Sequence, residues 1–443
     1  MDTVRADRTS LNGYERATTP NLDALAAEAT RFARVGAQAT QTLLSHKSLF
    51  TSKYPLRLLQ EASGLDLREL EEVRHPWKLL VASFANLASA SLVGPLRAAG
   101  YRTEAYTDGG WMRREMNFHE GFDVYDEAGG GFEEIVPRAV QALEQRSARA
   151  LDQRSAEALF LFVHAYDAHC PYPTREPMNS RFCATHPEHL DLEGKCAKPE
   201  LLAIELTNAD LRAVGDHYDG GLQSADAYVG DLLAALRRLE VFDEALIVVT
   251  SDHGESLGER GEIGHGGHFL EQLQVPLLVK WPASWRVPAG TVEEPVALLD
   301  VMPTLLEACG VDLPPGLDGH SLLGLARREQ PGRPYLVSQI GFREGLDKVT
   351  RLTKRAIWRP GESLVIHDAA EGTDDALRVY DLRADPGGLA NLARERPAFV
   401  PDSLANLARH DGAEVASGST GPDELTLDDE MRRQLEALGY AAD

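Results

Sequence analysis

The sequence predicts an α/β fold in which a large, mostly parallel β-sheet is sandwiched by helices and followed by a smaller C-terminal α+β domain. Three continuous apolar runs, at 158–163, 245–250 and 275–281, are typical of strands covered on both faces. Between the first two, apolar residues recur at helical spacing over 218–236 and predict an amphipathic helix. Strands that alternate with helices indicate a parallel sheet with helices on both faces. The length of 443 residues suits a large domain plus a small one.

The N-terminal part of the chain supplies further elements. A helix is predicted to begin near Pro20, because proline is favoured in the first turn of a helix. Residues 42–54 are predicted to form a polar loop that runs into a short helix. Gly100 is predicted to end another helix, and a strand is expected to follow over 101–106.

The C-terminal part is predicted to form a separate small domain. Glycines and prolines cluster over 314–332, which is a composition typical of a domain boundary. We therefore predict a large domain over 1–325, a small α+β domain over 326–400, and a tail over 401–443 that ends in a helix. The candidate strands of the small domain lie at 335–339, 355–358 and 364–367.

Composition narrows the classes of partner. A net charge of −24 argues against nucleic acid or an anionic membrane surface as a partner. An anionic substrate would need a metal ion or local cations to reverse this field inside its site. The sequence contains no run of about 20 apolar residues, so we expect no membrane span. None of the cysteines forms a CxxC pair, and for Cys183 and Cys196 a disulfide and two free thiols are both open.

An Asp-His pair stands directly after one of the predicted strands. Asp252 and His253 follow the run 245–250 and are themselves followed by Gly254. Adjacent side chains can converge on one ion where the backbone turns, and glycine allows such a turn. A carboxylate plus an imidazole suits a divalent cation such as zinc or manganese. The simpler interpretation is a helix-capping Asp beside a surface His.

Further histidines fall in predicted loops on the same side of the sheet. They are His164, His169, His265 and His268. The pattern His164-x-x-Asp167-x-His169 suits either a second metal site or a set of donors for an oxyanion. For His164, a purely structural role is equally open.

The segment 42–47 carries hydroxyl groups beside a histidine and a lysine. A threonine hydroxyl, such as that of Thr42, is a weak nucleophile unless metal coordination lowers its pKa. Considered alone, the segment is an ordinary polar helix start, with Ser45 as a candidate cap.

Seven ordered segments resemble those of the sulfatase family, within the alkaline-phosphatase superfamily. The resemblance covers nearly the whole chain. It includes DTVRADRTSLNGYERATTPNLDALAAEATRF, TLLSHKSLFTSKYP, HAYDAHCPY, SDHGESLGERGEIGHG, VPLLVKWP, LLDVMPTLLEACGVDLPPGLDGHSL and VYDLRADPGGLANLA. The resemblance implies an alkaline-phosphatase-like fold with one divalent metal ion at the strand ends, of Ca, Mg, Mn or Zn, and leaves a second ion open.

By position, the resemblance also implies the roles of individual residues. Asp2, Asp252 and His253 would bind the metal, with the nucleophile Thr42 on the same ion. Two catalytic histidines, His169 and His265, would contact the ester oxygens or protonate the leaving group.

The nucleophile segment departs from the family pattern Cys/Ser-x-Pro-x-Arg. Thr42 stands at the position of the Cys or Ser that is converted to formylglycine, Leu44 replaces the proline, and His46 replaces the arginine as a candidate catalytic residue. Threonine cannot yield that aldehyde, so the usual sulfatase chemistry is not expected. Attack by a metal-bound threonine alkoxide on phosphorus would give a phosphothreonine that water can cleave. We therefore expect phosphate esters to be better substrates than sulfate esters.

The start of the chain also departs from the pattern. Family members carry an apolar strand, and usually an export signal, before the residue that corresponds to Asp2. We expect that the true start lies upstream, in which case the protein would be periplasmic or otherwise extracytoplasmic; if not, it would be cytoplasmic. A damaged relative of the family is the alternative.

Three functional hypotheses follow. The first is a metal-dependent hydrolase that uses Thr42 on an anionic ester, either a small molecule or a glycan. The second is a two-metal phosphodiesterase in which Asp167, His169 and His265 hold a second ion. The third is a non-catalytic sulfatase-like protein that binds anionic glycans or a partner.

Overall fold

The computed structural model describes residues 1–65, 91–153, 157–170, 181–182, 206–340, 354–368 and 376–411. The strands are β1 Thr30–Gly36, β2 Arg102–Thr107, β3 Val124–Asp126, β4 Leu159–His164, β5 Ile247–Thr250, β6 Ser256–Leu257, β7 Ile263–Gly264, β8 Gln274–Lys280, β9 Gly290–Val292, β10 Val296–Ala297, β11 Leu336–Gln339, β12 Lys354–Arg359, β13 Ser363–Asp368 and β14 Leu377–Asp381. The α-helices are α1 Pro20–Ala26, α2 Thr42–Thr51, α3 Pro55–Ser63, α4 Val93–Ala98, α5 Gly131–Gln153, α6 Asn208–Arg238, α7 Leu270–Leu273, α8 Val301–Ala308, α9 Leu323–Ala326 and α10 Val400–Asp411.

Most of the predicted elements are confirmed. The apolar runs at 158–163, 245–250 and 275–281 are β4, β5 and β8, and the predicted amphipathic helix is the C-terminal part of α6. This helix begins earlier than its apolar pattern, because Thr207 and Asp210 form a reciprocal capping box at its start. The predicted terminal helix and the Cys183–Cys196 pair lie outside the described residues.

One sheet has five strands and mixed directions. Its order is β10-β1-β8-β5, with β9 also pairing with β1. The strands β9 and β10 run parallel to β1, whereas β8 runs antiparallel to both β1 and β5. The chain between β5 and β8 stays at one end of the sheet, in the β6–β7 hairpin and the short α7, so β8 has to run back. The prediction of a mostly parallel arrangement is confirmed for β1–β5, β9 and β10, and β8 is the strand that runs back.

A second sheet has three parallel strands in the order β3-β2-β4. Its edge strand β4 faces β5 of the first sheet, and no described strand lies between them. A cavity of about 1340 Å³ occupies the gap, with Phe160, Phe162, Val248 and Val249 among its lining residues. Nearly all side chains of β4 and β5 are therefore only half-buried. The expectation that both strands are covered on both faces was wrong in this respect.

Met1 and Asp2 close one end of this gap. The terminal amino group of Met1 donates to the carbonyl of Thr250 over 3.1 Å. The next amide, that of Asp2, donates to the carbonyl of Ala165 over 3.1 Å. Residues 1–2 thus bridge the carboxyl ends of β5 and β4, which is the end of the sheets where ligands collect in folds of this kind.

Helices cover both faces of the sheets. On one face, α5 and α6 pack together, and Phe132, Ile135 and Ala225 share a core with Tyr106 of β2. On the other face, α2, α4 and α8 bury a larger core, which includes Phe50, Leu96, Met302 and Leu306. The described helices include none long and apolar enough to cross a membrane.

A separate four-stranded antiparallel sheet, in the order β11-β12-β13-β14, follows at the C-terminal end. The predicted strands at 335–339, 355–358 and 364–367 are its first three. Helix α10 packs on this sheet through Val400 and Leu407. The division of the chain at residue 325 stays a prediction.

Candidate active site

The loop after β5 packs closely against the chain near Glu271 at Gly254. An added Cβ at Gly254 would lie 2.1 Å from the carbonyl oxygen of Glu271, so only glycine fits there. The Gly254 amide donates to the carbonyl of Gln272 over 2.8 Å, and Ser251 Oγ accepts from the Val4 amide over 2.7 Å. These contacts fix the backbone that carries Asp252 and His253.

The structure brings Asp2, Asp252 and His253 together. One ligand atom from each lies within 4.8 Å of the others, and all three residues are buried. The amide of Thr3 donates to Asp252 Oδ1 over 3.2 Å, which holds the N-terminal segment against the loop. We call these three residues the triad.

The triad contains buried polar atoms that form no hydrogen bond. Neither oxygen of Asp2 forms a hydrogen bond with any described residue, and the same holds for Asp252 Oδ2 and His253 Nε2. The other nitrogen of His253, Nδ1, lies 2.9 Å from the Gly254 carbonyl, which leaves Nε2 as the ligand atom. A divalent cation would satisfy all four atoms, so the triad fits the metal ion that the resemblance implies.

The two carboxylates influence each other's ionisation. Burial, together with the facing Asp252 carboxylate, raises the pKa of Asp2 well above its ordinary value. Burial acts in the same direction on Asp252, but His253, His46 and His164 hold its pKa below the ordinary value. A bound cation would favour the ionised form of both side chains.

Two more histidines line the triad. His164 Nε2 lies 3.3 Å from Asp2 Oδ2, and His46 Nδ1 lies 3.5 Å from Asp252 Oδ2. Their ring centroids are 4.6 Å apart. Burial lowers the pKa of both imidazoles, which favours their neutral forms. His46 thus faces the triad as a neutral group, whereas arginine in that place would be a fixed cation.

Thr42 is the first residue of α2, so the predicted polar loop is instead the buried start of a helix. Its Oγ1 is buried and forms no hydrogen bond within the described part of the chain. Ser45, the candidate cap, donates to the carbonyl of Asp252 over 2.6 Å and ties the start of α2 to the metal-site loop. The positive end of the helix dipole lies there and favours an anion.

A second cluster consists of His169, Glu255 and His265, with one ligand atom from each within 4.8 Å of the others. The two clusters adjoin, since the ring centroids of His253 and His265 are 4.6 Å apart. The hypothesis of a second ion placed Asp167 in this cluster. Asp167 Oδ2 instead accepts from the Phe132 amide at the start of α5.

Sequence reasoning missed two residues and misplaced one. Glu255 was passed over, although it stands only two positions after His253. Arg5 is buried, donates to the carbonyl of Glu255 and forms ion pairs with Asp7 and Glu259. His268 lies apart from both clusters, with Nδ1 2.9 Å from Ser338 Oγ in β11.

The fold and the two clusters define an α/β protein with a buried carboxylate–imidazole centre at the carboxyl ends of its strands. The family model named Sulfatase matches residues 1–311. The chain therefore belongs to the sulfatase family.

Curated relatives match part of the chain. A choline-sulfatase of Rhizobium meliloti (strain 1021) is 31% identical over 211 residues, which is 47% of this chain and 38% of the relative. The multifunctional alkaline phosphatase superfamily protein PehA of Trinickia caryophylli is 31% identical over 202 residues, 44% of this chain and 39% of the relative. Mouse arylsulfatase K is 28% identical over 207 residues, which is 44% of this chain and 35% of the relative. The matched part thus spans well under half the length of these relatives.

Solved structures match almost the whole chain in fold. A phosphonate monoester hydrolase of Agrobacterium radiobacter superposes with a TM-score of 0.67 at 18% identity, covering 92% of this chain and 93% of the other. A protein solved with its substrate D-glucosamine-2-N,6-O-disulfate has a TM-score of 0.68 at 19% identity, with coverage of 93% and 98%.

Proposed function

We propose that the protein is a metal-dependent hydrolase of anionic esters, with Thr42 as nucleophile and phosphate esters preferred over sulfate esters. One observation carries the proposal. Within the described ranges, the triad leaves buried carboxylate and imidazole atoms without a hydrogen bond, beside a helix whose first residue is a buried threonine. An arrangement of this kind suits a cation and an anionic ester together.

The residues of the chain have distinct roles in the proposed reaction. A divalent ion bound by Asp2, Asp252 and His253 would supply positive charge that favours the Thr42 alkoxide. The Thr42 hydroxyl gives its proton to water and Oγ1 attacks phosphorus. The bond from phosphorus to the leaving oxygen breaks as the protonated form of His169 or His265 donates a proton to that oxygen. Water then cleaves the phosphothreonine and restores the Thr42 hydroxyl. The backbone N–H groups at the start of α2 would donate to the ester's oxygens.

The preference for phosphorus follows from the nucleophile. In the usual sulfatase reaction, the sulfated hydrate of formylglycine expels sulfate as it reverts to the aldehyde. A threonine sulfate has no such route. A phosphothreonine can be cleaved by attack of water at phosphorus. The names of the relatives span both chemistries, since one is a choline-sulfatase and a structural neighbour is a phosphonate monoester hydrolase. Another neighbour was solved with a disulfated glucosamine, which supports an anionic small molecule or glycan as substrate.

The test is a paired assay of the purified chain with added Mn²⁺. The substrates are an aryl sulfate, an aryl phosphate monoester and an aryl phosphate diester. We expect turnover of a phosphate ester, and Thr42→Ala should lower it on the order of 10³-fold or more, because the nucleophile is lost. Thr51→Ala is the matched control, since Thr51 is a buried threonine at the far end of the same helix.

Three outcomes would contradict the proposal. Turnover of the sulfate ester without turnover of either phosphate ester would reverse the preference. Turnover that is equal in Thr42→Ala and Thr51→Ala would exclude Thr42 as nucleophile. If a folded, metal-loaded chain cleaves none of the esters, the hypothesis of a non-catalytic binding protein replaces the proposal.

A further inference from the structure

We infer that Thr3 is a positioning residue for the triad and that Tyr218 of α6 holds Thr3 in place. The inference rests on the proposed function, because it concerns the same metal ligands. Thr3 stands directly after Asp2 and is fully buried. Its φ of 52° lies in the left-handed region, which a β-branched residue rarely adopts. Backbone strain of this kind persists only where the surrounding contacts enforce it, and it clusters at functional sites.

The strained conformation is enforced by hydrogen bonds at every polar atom of Thr3. Its amide donates to Asp252 Oδ1 over 3.2 Å, and its hydroxyl donates to the carbonyl of Ala168 over 2.9 Å. Its carbonyl accepts from the Tyr218 hydroxyl over 2.8 Å. Thr3 thus joins the loop after β5, the loop after β4 and helix α6 at a single point.

Tyr218 closes the turn that follows Thr3. Its hydroxyl donates to the Thr3 carbonyl and accepts from the Arg5 amide, each over 2.8 Å. The Tyr218 side chain is fully buried, so no water replaces it there. Loss of this hydroxyl would leave a buried backbone acceptor and a buried backbone donor unsatisfied, which is costly. The turn would relax to satisfy them, and the φ of Thr3 would change with it.

The Thr3 amide determines which oxygen of Asp252 is free to bind a metal. Oδ1 accepts from the amides of Thr3 and His253, over 3.2 and 2.9 Å. Oδ2 forms no hydrogen bond within the described part of the chain and is left as the ligand atom. Hydrogen-bond donors that orient a metal-binding carboxylate in this way raise the affinity of its site for the metal.

Asp2 depends on Thr3 through the backbone. Neither carboxylate oxygen of Asp2 forms a hydrogen bond among the described residues, so no side-chain hydrogen bond fixes its position. Its position is set instead by its own amide, which donates to the carbonyl of Ala165, and by the contacts of Thr3. A change in the φ of Thr3 therefore moves the Asp2 carboxylate relative to Asp252 and weakens the metal site.

The test is the affinity of the full chain for Mn²⁺, measured by calorimetric titration at a temperature where every variant is folded. We expect Thr3→Val and Tyr218→Phe each to weaken Mn²⁺ binding about 10–100-fold, because each removes one orienting hydroxyl. Thr3→Ser keeps the hydroxyl and should bind Mn²⁺ as tightly as the wild type. Tyr125→Phe is the matched control, because the buried Tyr125 hydroxyl also donates to a backbone carbonyl, that of Met112, but lies on β3, at the edge of its sheet opposite β4.

The outcomes separate this inference from the proposed function. Weaker Mn²⁺ binding in Thr3→Val and Tyr218→Phe, with wild-type affinity in Thr3→Ser and Tyr125→Phe, would establish the positioning role, whatever the activity. If Mn²⁺ binding is lost in Asp252→Asn but unchanged in Thr3→Val and Tyr218→Phe, the two residues serve only the stability of the fold. That result would overturn the inference and leave the triad intact.

Equal weakening of Mn²⁺ binding in Tyr125→Phe would also overturn the inference, since the loss of any buried hydroxyl would then have the same effect. A wild-type chain that binds neither Mn²⁺ nor Zn²⁺, Ca²⁺ or Mg²⁺ would overturn both the inference and the metal-dependent function.

Discussion

Burial shifts the pKa of several ionisable side chains in this protein, and the direction of the shift depends on the type of side chain. The pKa of His46, His164 and His169 is lowered chiefly because each imidazole is buried, which favours the neutral form that can bind a cation. Carboxylates respond in the opposite sense, and burial raises the pKa of Asp2. The same physical effect thus favours neutral histidines and leaves Asp2 dependent on a positive partner for its charge.

His268 offers a test of this effect away from the metal ligands. Burial lowers its pKa from 6.5 to about 3, so the folded protein keeps it neutral where the unfolded chain would protonate it. The neutral His268 side chain contributes fully to the free energy of unfolding above pH 6.5, and this contribution is lost as the pH falls toward 3. At pH 5 the loss is on the order of 2 kcal/mol.

The measurement is urea unfolding of the wild type and His268→Asn at pH 7, 6 and 5. Asparagine tolerates the left-handed backbone of this residue, whose φ is 61°, and can still bond to Ser338. We expect the free energy of unfolding to fall more steeply with acid in the wild type than in the variant. If the free energy of unfolding changes equally with pH in the wild type and the variant, His268 is protonated in the folded state.

Helix α6 positions the second cluster through close backbone contact. It passes the loop after β4 at Gly221, where an added Cβ would lie 2.3 Å from the carbonyl oxygen of Asp167. That loop carries His169 two residues later. The glycine is therefore a packing requirement of the site, although it lies in a helix and touches no ligand atom.

Gly221→Ala should displace the loop that carries His169. We expect a loss of stability of about 1–3 kcal/mol from overpacking, together with slower turnover of the phosphate ester because His169 is displaced. The matched control is Gly215→Ala in the same helix, where the added Cβ would meet only the flexible guanidinium of Arg8 at 3.2 Å. The measurements are thermal unfolding and ester turnover of both variants, and equal values for the two would show that the loop moves aside without consequence.

Elements with a clear apolar pattern could be predicted from the sequence, and short or fully buried ones could not. The runs that became β4, β5 and β8 were found by composition. The two-residue strands β6 and β7 are too short to show any periodicity. Every residue of α2 is buried, so its polar side chains concealed where this helix begins, and 42–54 was predicted as a polar loop that runs into a short helix.

At the scale of the whole molecule, the gap between β4 and β5 divides what was expected to be one sheet. The edges of both strands face a cavity of about 1340 Å³, whose lining includes Leu161 and Val249. Met1 and Asp2 already donate to the chain at the carboxyl ends of β5 and β4.

The site as a whole could be predicted only in part from the sequence. Asp252 and His253 were identified because they follow a strand and precede a glycine. The place of Asp2 beside them came from the family resemblance alone, since no local pattern links residues so far apart. Glu255 was missed because a glutamate in a glycine-rich loop is usually exposed, and its burial depends on contacts made by distant residues.

The contact between the N-terminal segment and the loop after β5 also sets when the site can form. The Thr3 amide and Asp252 are separated by 249 positions along the chain. Closing so long a loop has a large entropic cost before any contact compensates for it, and folding slows as such non-local contacts increase. A chain emerging from the ribosome therefore lacks a complete triad until more than half of its residues have been made. Metal capture would then be a late event, and refolding monitored by metal binding should lag behind refolding monitored by helix content.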